Sequence, residues 1–232
     1  MSTQLDIALE STPKKTFATA VDWPGLSRSG KTAELALEAL VAHLPRYAAV
    51  LERVGSANAE SLAPFVRSFR LSEIIPNVIE SGSGNSGTEF GVPSLVTDSD
   101  RRPVSAAEAG RFVAIVAASW GAFDAVAARA PQDLRKGPRG GGRDRDRMVA
   151  HVIESDHAYA REIGVRLKAP GPDDRTAVSA MREAMLAVLR EPSDGSPLAD
   201  RRWTTRYAAH RIAWHALDHA WEIEDRTESA AS

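Results

Sequence analysis

The chain has 232 residues, 43% hydrophobic and 26% charged, a formal net charge of −2 and no cysteine. That is the composition of a globular protein with room for one large or two small domains. The near-neutral charge removes the basic field of a general nucleic-acid binder. The missing thiols exclude disulfides, iron–sulfur clusters, thiolate metal ligands and cysteine nucleophiles, so any bound metal must use nitrogen and oxygen donors. No apolar run approaches the roughly 20 residues that span a bilayer, and residues 1–15 lack a hydrophobic signal core. The expected location is therefore cytoplasmic, with no membrane and no nucleic acid among the partners.

In chain order, residues 16–21 alternate as a strand that ends in the turn Asp22-Trp23-Pro24-Gly25. Thr32 is placed to cap a helix over residues 33–54, where Leu37, Leu40, Val41, Leu44 and Ala48 form an apolar face and Pro45 introduces a kink. Residues 65–75 are apolar and β-branched and predict one or two strands. The glycine- and serine-rich residues 81–87 read as a flexible loop, and residues 89–95 as a further strand.

After about residue 100 the pattern becomes four helices: 106–130 with Phe112, Val116, Ala117, Trp120 and Phe123 inward, then 146–166, 176–190 and 198–225. The predicted architecture is an α+β N-terminal module over residues 1–100 followed by an all-α four-helix bundle over residues 101–232. The basic, glycine-rich residues 136–147 connect the first two of these helices, either as a solvated loop or as a clamp for an anionic ligand.

The candidate chemistry sits in the histidines. His215 and His219 are four residues apart, which places two imidazoles about 40° apart on one helix face, one turn from each other. A third ligand must come from another helix, and His151 lies beside the apolar stripe of Met148, Val152 and Tyr159. These three predict one divalent ion, zinc, nickel or iron, with an open coordination position. His43 reads as an ordinary core histidine, and the spacing turns His210 and His157 toward other faces. Glu154 and Glu222 are candidates to orient an imidazole, with solvated helix charge as the default for both. Glu154-Ser155-Asp156-His157 is a Glu-x-x-His of the kind that di-iron bundles use twice, but it occurs here once.

The segment Met148-Val149-Ala150-His151-Val152-Ile153-Glu154-Ser155-Asp156-His157, together with Arg211-Ile212-Ala213-Trp214-His215-Ala216-Leu217-Asp218-His219-Ala220-Trp221, resembles the DinB/YfiT-like superfamily. In that family a four-helix bundle carries one ligand histidine on its second helix and a His-x-x-x-His pair on its last. The resemblance covers about residues 105–227 and implies His151, His215 and His219 as metal ligands. It also implies a small-molecule substrate or thiol as partner, with mycothiol-type S-transfer as one activity of the family, and it admits a homodimer. Where the family has Gly-Gln after the second histidine of the pair, this chain has Ala220-Trp221-Glu222. Arginines of the 136–147 loop, or Arg202 and Arg206, are the expected recognition groups for carboxylates of such a thiol. The alternative function is a non-catalytic binding protein with a structural metal.

A second resemblance is carried by Phe17-Ala18-Thr19-Ala20-Val21-Asp22-Trp23-Pro24-Gly25-Leu26 and Gly30-Lys31-Thr32-Ala33-Glu34-Leu35-Ala36-Leu37-Glu38, which is similar to the HicB-type module, a short hairpin leading into a helix. The same stretch, Gly25-Leu26-Ser27-Arg28-Ser29-Gly30-Lys31-Thr32, satisfies the P-loop pattern. Nucleotide binding is not expected from it, because the parallel sheet and the acidic strand end that such a site requires have no counterpart downstream.

Overall fold

The computed structural model describes residues 3–54, 56–71, 74–136 and 142–227. It is mainly helical, with a small mixed sheet at the N-terminus. Four strands, β1 (Thr3–Ser11), β2 (Thr16–Ala20), β3 (Ser27–Gly30) and β4 (Ile74–Ser83), are ordered β3-β2-β1-β4. The first three form an antiparallel meander, with Ile7 opposite Ala20 and Phe17 opposite Ser29, whereas β4 runs parallel to β1. A parallel neighbour requires a crossover. Helices α1 (Ala33–Ala42), α2 (Leu44–Leu51) and α3 (Ser56–Leu71) supply it.

The turn after β2 forms as its residues dictate: the Ala20 amide donates to the Leu26 carbonyl, and Gly25 takes φ +89°, which suits glycine. Thr32 caps α1 by accepting from the Leu35 amide. The single helix expected over 33–54 is broken at His43 into α1 and α2, because Pro45, in the first turn of α2, has no N–H to continue the ladder.

Two expected strands, 65–75 and 89–95, do not form as placed, although residues 74–75 open β4. Residues 65–71 belong to α3, where Leu62, Phe65, Val66 and Phe69 recur at 3.6-residue spacing and bring Phe65 and Phe69 within 4.5 and 5.2 Å of the Trp23 ring. Pro64 interrupts its hydrogen-bond ladder without ending it. Residues 86–90 form the short helix α4 (Ser86–Phe90), set by an Asn85–Thr88 capping box at one end and by Gly91 in the left-handed conformation at the other, and residues 91–95 hold no strand. Residues 81–83, expected in a loop, complete β4. The buried Glu10 carboxylate then fixes the segment after α4, accepting from the Ser94 and Leu95 amides and from the Thr88 hydroxyl.

The C-terminal half holds α5 (Ala106–Arg129), α6 (Arg145–Glu162), α7 (Arg175–Arg190) and α8 (Thr205–Thr227). The last begins seven residues later than expected. Leu198–Asp200 is a separate 3₁₀ turn in which Ala199 and Asp200 have positive φ, and the Thr204 hydroxyl oxygen accepts from the Tyr207 amide at the true start. α5 packs on α8 and α7, and α6 on the same two. Phe112, Val116, Trp120 and Phe123 face their common core with Met148, Met185 and Ile212. Ala117, expected inward, is exposed and lines a cleft of about 840 Å³ between α5, α6 and α7.

A second core joins the two parts: Ile7, Leu40, Tyr47 and Phe69 pack with Ile115 and Ala118 of α5 and with Leu217 and Trp221 of α8. Arg46, on α2, adds ion pairs to Glu224 and Asp225 at 2.6 and 2.9 Å. Among the described residues α5 is the one helix long and apolar enough to cross a membrane, and most of that window is buried inside the fold, as in a core helix.

Candidate metal centre

The antiparallel neighbours α6 and α8 bring His151, His215 and His219 together. One ring nitrogen from each lies within 4.8 Å of the others. The rings stand nearly edge-to-face, with centroids 4.6 Å apart for His215–His219, 5.0 Å for His151–His219 and 5.1 Å for His151–His215. The Nε2 atoms of His151 and His215 are 3.3 Å apart. Two nitrogens each about 2.0–2.1 Å from one tetrahedral ion stand about 3.3 Å apart, so this pair is already at ligand spacing. His219 turns its Nδ1 to Glu222 Oε2 at 3.1 Å, which leaves Nε2 to face the other two rings. The three-nitrogen set fits a divalent ion of the zinc, nickel or iron class.

The electrostatics favour neutral imidazoles at His151 and His215. Burial, then the charge of Arg143, then His219 depress His151 to about 4, against the pull of Glu222. Burial holds His215 well below the usual imidazole range, reinforced by His219 and Arg211. A neutral imidazole is the form that binds metal. Burial opposes ionisation of Glu222, but its hydrogen bond to His219 and its pairing with Arg226 outweigh that and lower its pKa. Glu222 is therefore an anionic acceptor for the His219 N–H, the arrangement that fixes a ligand's tautomer and orientation. His215 Nδ1 is buried without a hydrogen-bond partner.

Behind Glu222 stands Arg226, which reaches its Oε1 at 3.0 Å and donates to the carbonyls of Arg143 and Arg135, both at 2.6 Å. The loop before α6 is thus tied to the helix that carries two of the three histidines. Gly142 is suited to this contact: its φ is +118°, and a Cβ there would come within 2.8 Å of the Arg226 guanidinium carbon. Residues 137–141 of the expected basic loop lie outside the described residues, and Arg145–Arg147 belong to α6.

The other singled-out residues are placed elsewhere. His210 is buried with Nε2 3.0 Å from the Val21 carbonyl, His157 meets the Leu167 carbonyl at 3.0 Å, and His43 meets the Ala39 carbonyl at 2.7 Å while packing on Trp221. Glu154 is exposed. Arg206, expected to recognise a ligand, is buried and committed to Asp22 and Glu108, joining the turn after β2 to α5 and α8. The P-loop pattern lies across β3, where Phe17 pairs with Ser29 and Ala18 with Arg28 in an antiparallel ladder, so Ser27–Gly30 form a strand and not a phosphate cradle.

Sequence reasoning missed Arg211 and Trp214 beside the triad, and it read Tyr159 only as part of the apolar stripe beside His151. Arg211 lies over the Tyr159 and Trp214 rings at 5.2 and 4.9 Å, and Tyr159 stands edge-on to His215 at 5.5 Å. The signal was present, since 211, 215 and 219 share one four-residue spacing. Compared with family models, with curated proteins and with solved structures, the chain matches none.

Proposed function

We propose that the chain is a DinB-like metal-binding protein in which His151, His215 and His219 hold one divalent ion for small-molecule chemistry, with a low-molecular-weight thiol of the mycothiol type as co-substrate in an S-transfer reaction. The observation that carries this reading is the convergence of three ring nitrogens, from two helices, within 4.8 Å of one another. A lone histidine ordinarily turns a ring nitrogen to a carbonyl, as His210 does with Nε2 and His43 with Nδ1 here. The three imidazoles of the triad face one another instead, and their shared acceptor character suits a cation.

A divalent ion held by His151, His215 and His219 would supply Lewis acidity that lowers the pKa of a bound thiol or water toward neutrality. The chain's own residues do the rest. Glu222, ionised and braced by Arg226, holds the Nδ1 proton of His219 and so presents its Nε2. Burial keeps His151 and His215 unprotonated. Three protein ligands leave a coordination position for substrate, which distinguishes a catalytic site from a closed structural one. A cytoplasmic setting, with a second copy of the chain as a further partner, fits this reading.

The test has two measurements. Elemental analysis of the purified chain is expected to find about one divalent ion per chain, and a transfer assay with monochlorobimane and a panel of small thiols, mycothiol among them, is expected to find turnover that His151→Ala abolishes. Metal bound tightly with no turnover on any thiol would assign the ion a structural role instead.

A further inference from the structure

Arg211 precedes His215 by four residues, one turn and about 6 Å along α8 on nearly the same face. Across the groove stands Tyr159, two turns beyond His151 on α6, with its ring between the Arg211 guanidinium and the His215 imidazole. Trp214 braces the guanidinium from the side of the sheet. His151, Ser155, Arg211, His219 and Glu222 are all half-buried, so side chains of α6 and α8 keep partial solvent access at the triad and at this arginine.

Arg211 shares with Arg111, alone among the described buried or half-buried arginines, the lack of a carboxylate counter-charge, and of the two only Arg211 stands beside the triad. Arg28, Arg182, Arg206 and Arg226 each meet a carboxylate. Arg211 pairs with none among the described residues, and its Nη1 is buried without a hydrogen-bond partner. A guanidinium without a counter-charge, held over two aromatic rings and hydrogen-bonded to Tyr159, is fixed in orientation, and its unpartnered Nη1 suits recognition of an oxyanion. The charge balance agrees. Three imidazoles contribute no charge to offset a divalent ion, Arg143 and Arg211 both add positive potential at His215, and Glu222 is already paired with Arg226.

We propose that the ligand bound at the triad carries a carboxylate, and that Arg211 is the residue that binds it, one helical turn along the groove from the metal position. This rests on the metal reading above and narrows the ligand to one that bears a carboxylate, which mycothiol itself lacks.

The full chain loaded with cobalt(II), whose visible bands report thiolate binding, is titrated with ω-mercaptocarboxylates of increasing length and with the matching mercaptoalcohols. The expected result is at least tenfold tighter binding of the carboxylate at one favoured length. Arg211→Gln removes that preference while cobalt content and mercaptoalcohol binding stay as in the wild type. A preference that persists in Arg211→Gln reflects chelation of the ion by the carboxylate and overturns the assignment, as does equal binding of both series by the wild type. Should the glutamine variant fail to fold, Arg211→Lys, which keeps the charge and loses the fork, is expected to reduce the preference at least threefold, and an undiminished preference overturns the assignment. A wild-type chain that takes up no cobalt overturns the metal reading and this one together, whereas cobalt uptake without a carboxylate preference overturns this one alone.

Discussion

At the scale of single residues, the centre is governed by which imidazole nitrogens carry protons. Glu222 decides this for His219, and its loss should loosen the site without dismantling it. Glu222→Gln is expected to lower metal affinity about 10–100-fold, the usual cost of losing a ligand's orienting partner. Competition with a chromophoric chelator measures this, and an unchanged affinity would show that Glu222 only anchors Arg226. Protonation of the metal-free triad is a second handle. His151 titrates at about 4 in the fold, held down by burial and then by Arg143, against 6.5 ordinarily. Between those values the unfolded chain binds a proton that the folded chain does not, so this group's contribution to stability is lost as pH falls from about 6.5 toward 4. Asp156, raised to about 6 by burial, works in the opposite sense over the lower part of that range. The informative quantity is therefore a difference. Urea midpoints of metal-free protein should fall less steeply with acidification in His151→Gln than in the wild type, and identical slopes would contradict the depressed pKa.

At the scale of elements, the helices of the C-terminal half were most legible where several signals agreed. α7 and α5 have a cap, an apolar period and a terminating residue pointing to the same bounds, with Ser105 and Glu108 closing a capping box on α5. The triad was legible for the same reason: a four-residue spacing is a statement about one helix face, and it holds wherever the helix is packed. What was misread were short apolar runs. Residues 65–71 are rich enough in aromatic and apolar side chains to pass for a strand, and only the partner, Trp23 from the turn after β2, selects the helical period that puts Phe65 and Phe69 on one side. Arg206 was misassigned because its partners, Asp22 and Glu108, are 184 and 98 residues away in sequence. Packing of α3 can be tested directly. Phe69 is fully buried against Trp23 and Tyr47, and Phe69→Ala should cost about 3–5 kcal/mol in urea unfolding with little loss of metal affinity. A change under 1 kcal/mol would mean that α3 does not close the second core.

At the scale of the whole molecule, α8 joins everything. One side of it sends Leu217 and Trp221 into the core shared with the sheet and α1–α3, another sends Ile212 and Ala216 into the core shared with α5 and α7, and between them His215 and His219 meet His151 of α6. An ion at the triad would thus clamp α6 to the helix that both cores depend on. Because a ligand that binds only the native state stabilises it by mass action, free metal at 1,000 times its Kd should add about 4 kcal/mol to the stability of the entire chain. The most direct measurement is an equilibrium titration of metal-free protein with zinc, read by chelator competition, in the wild type and in His215→Ala. A single site at about one ion per chain, weakened at least 100-fold in the variant, is the expected result. No binding in competition with the chelator, or equal binding by both proteins, would contradict a metal centre at these three histidines.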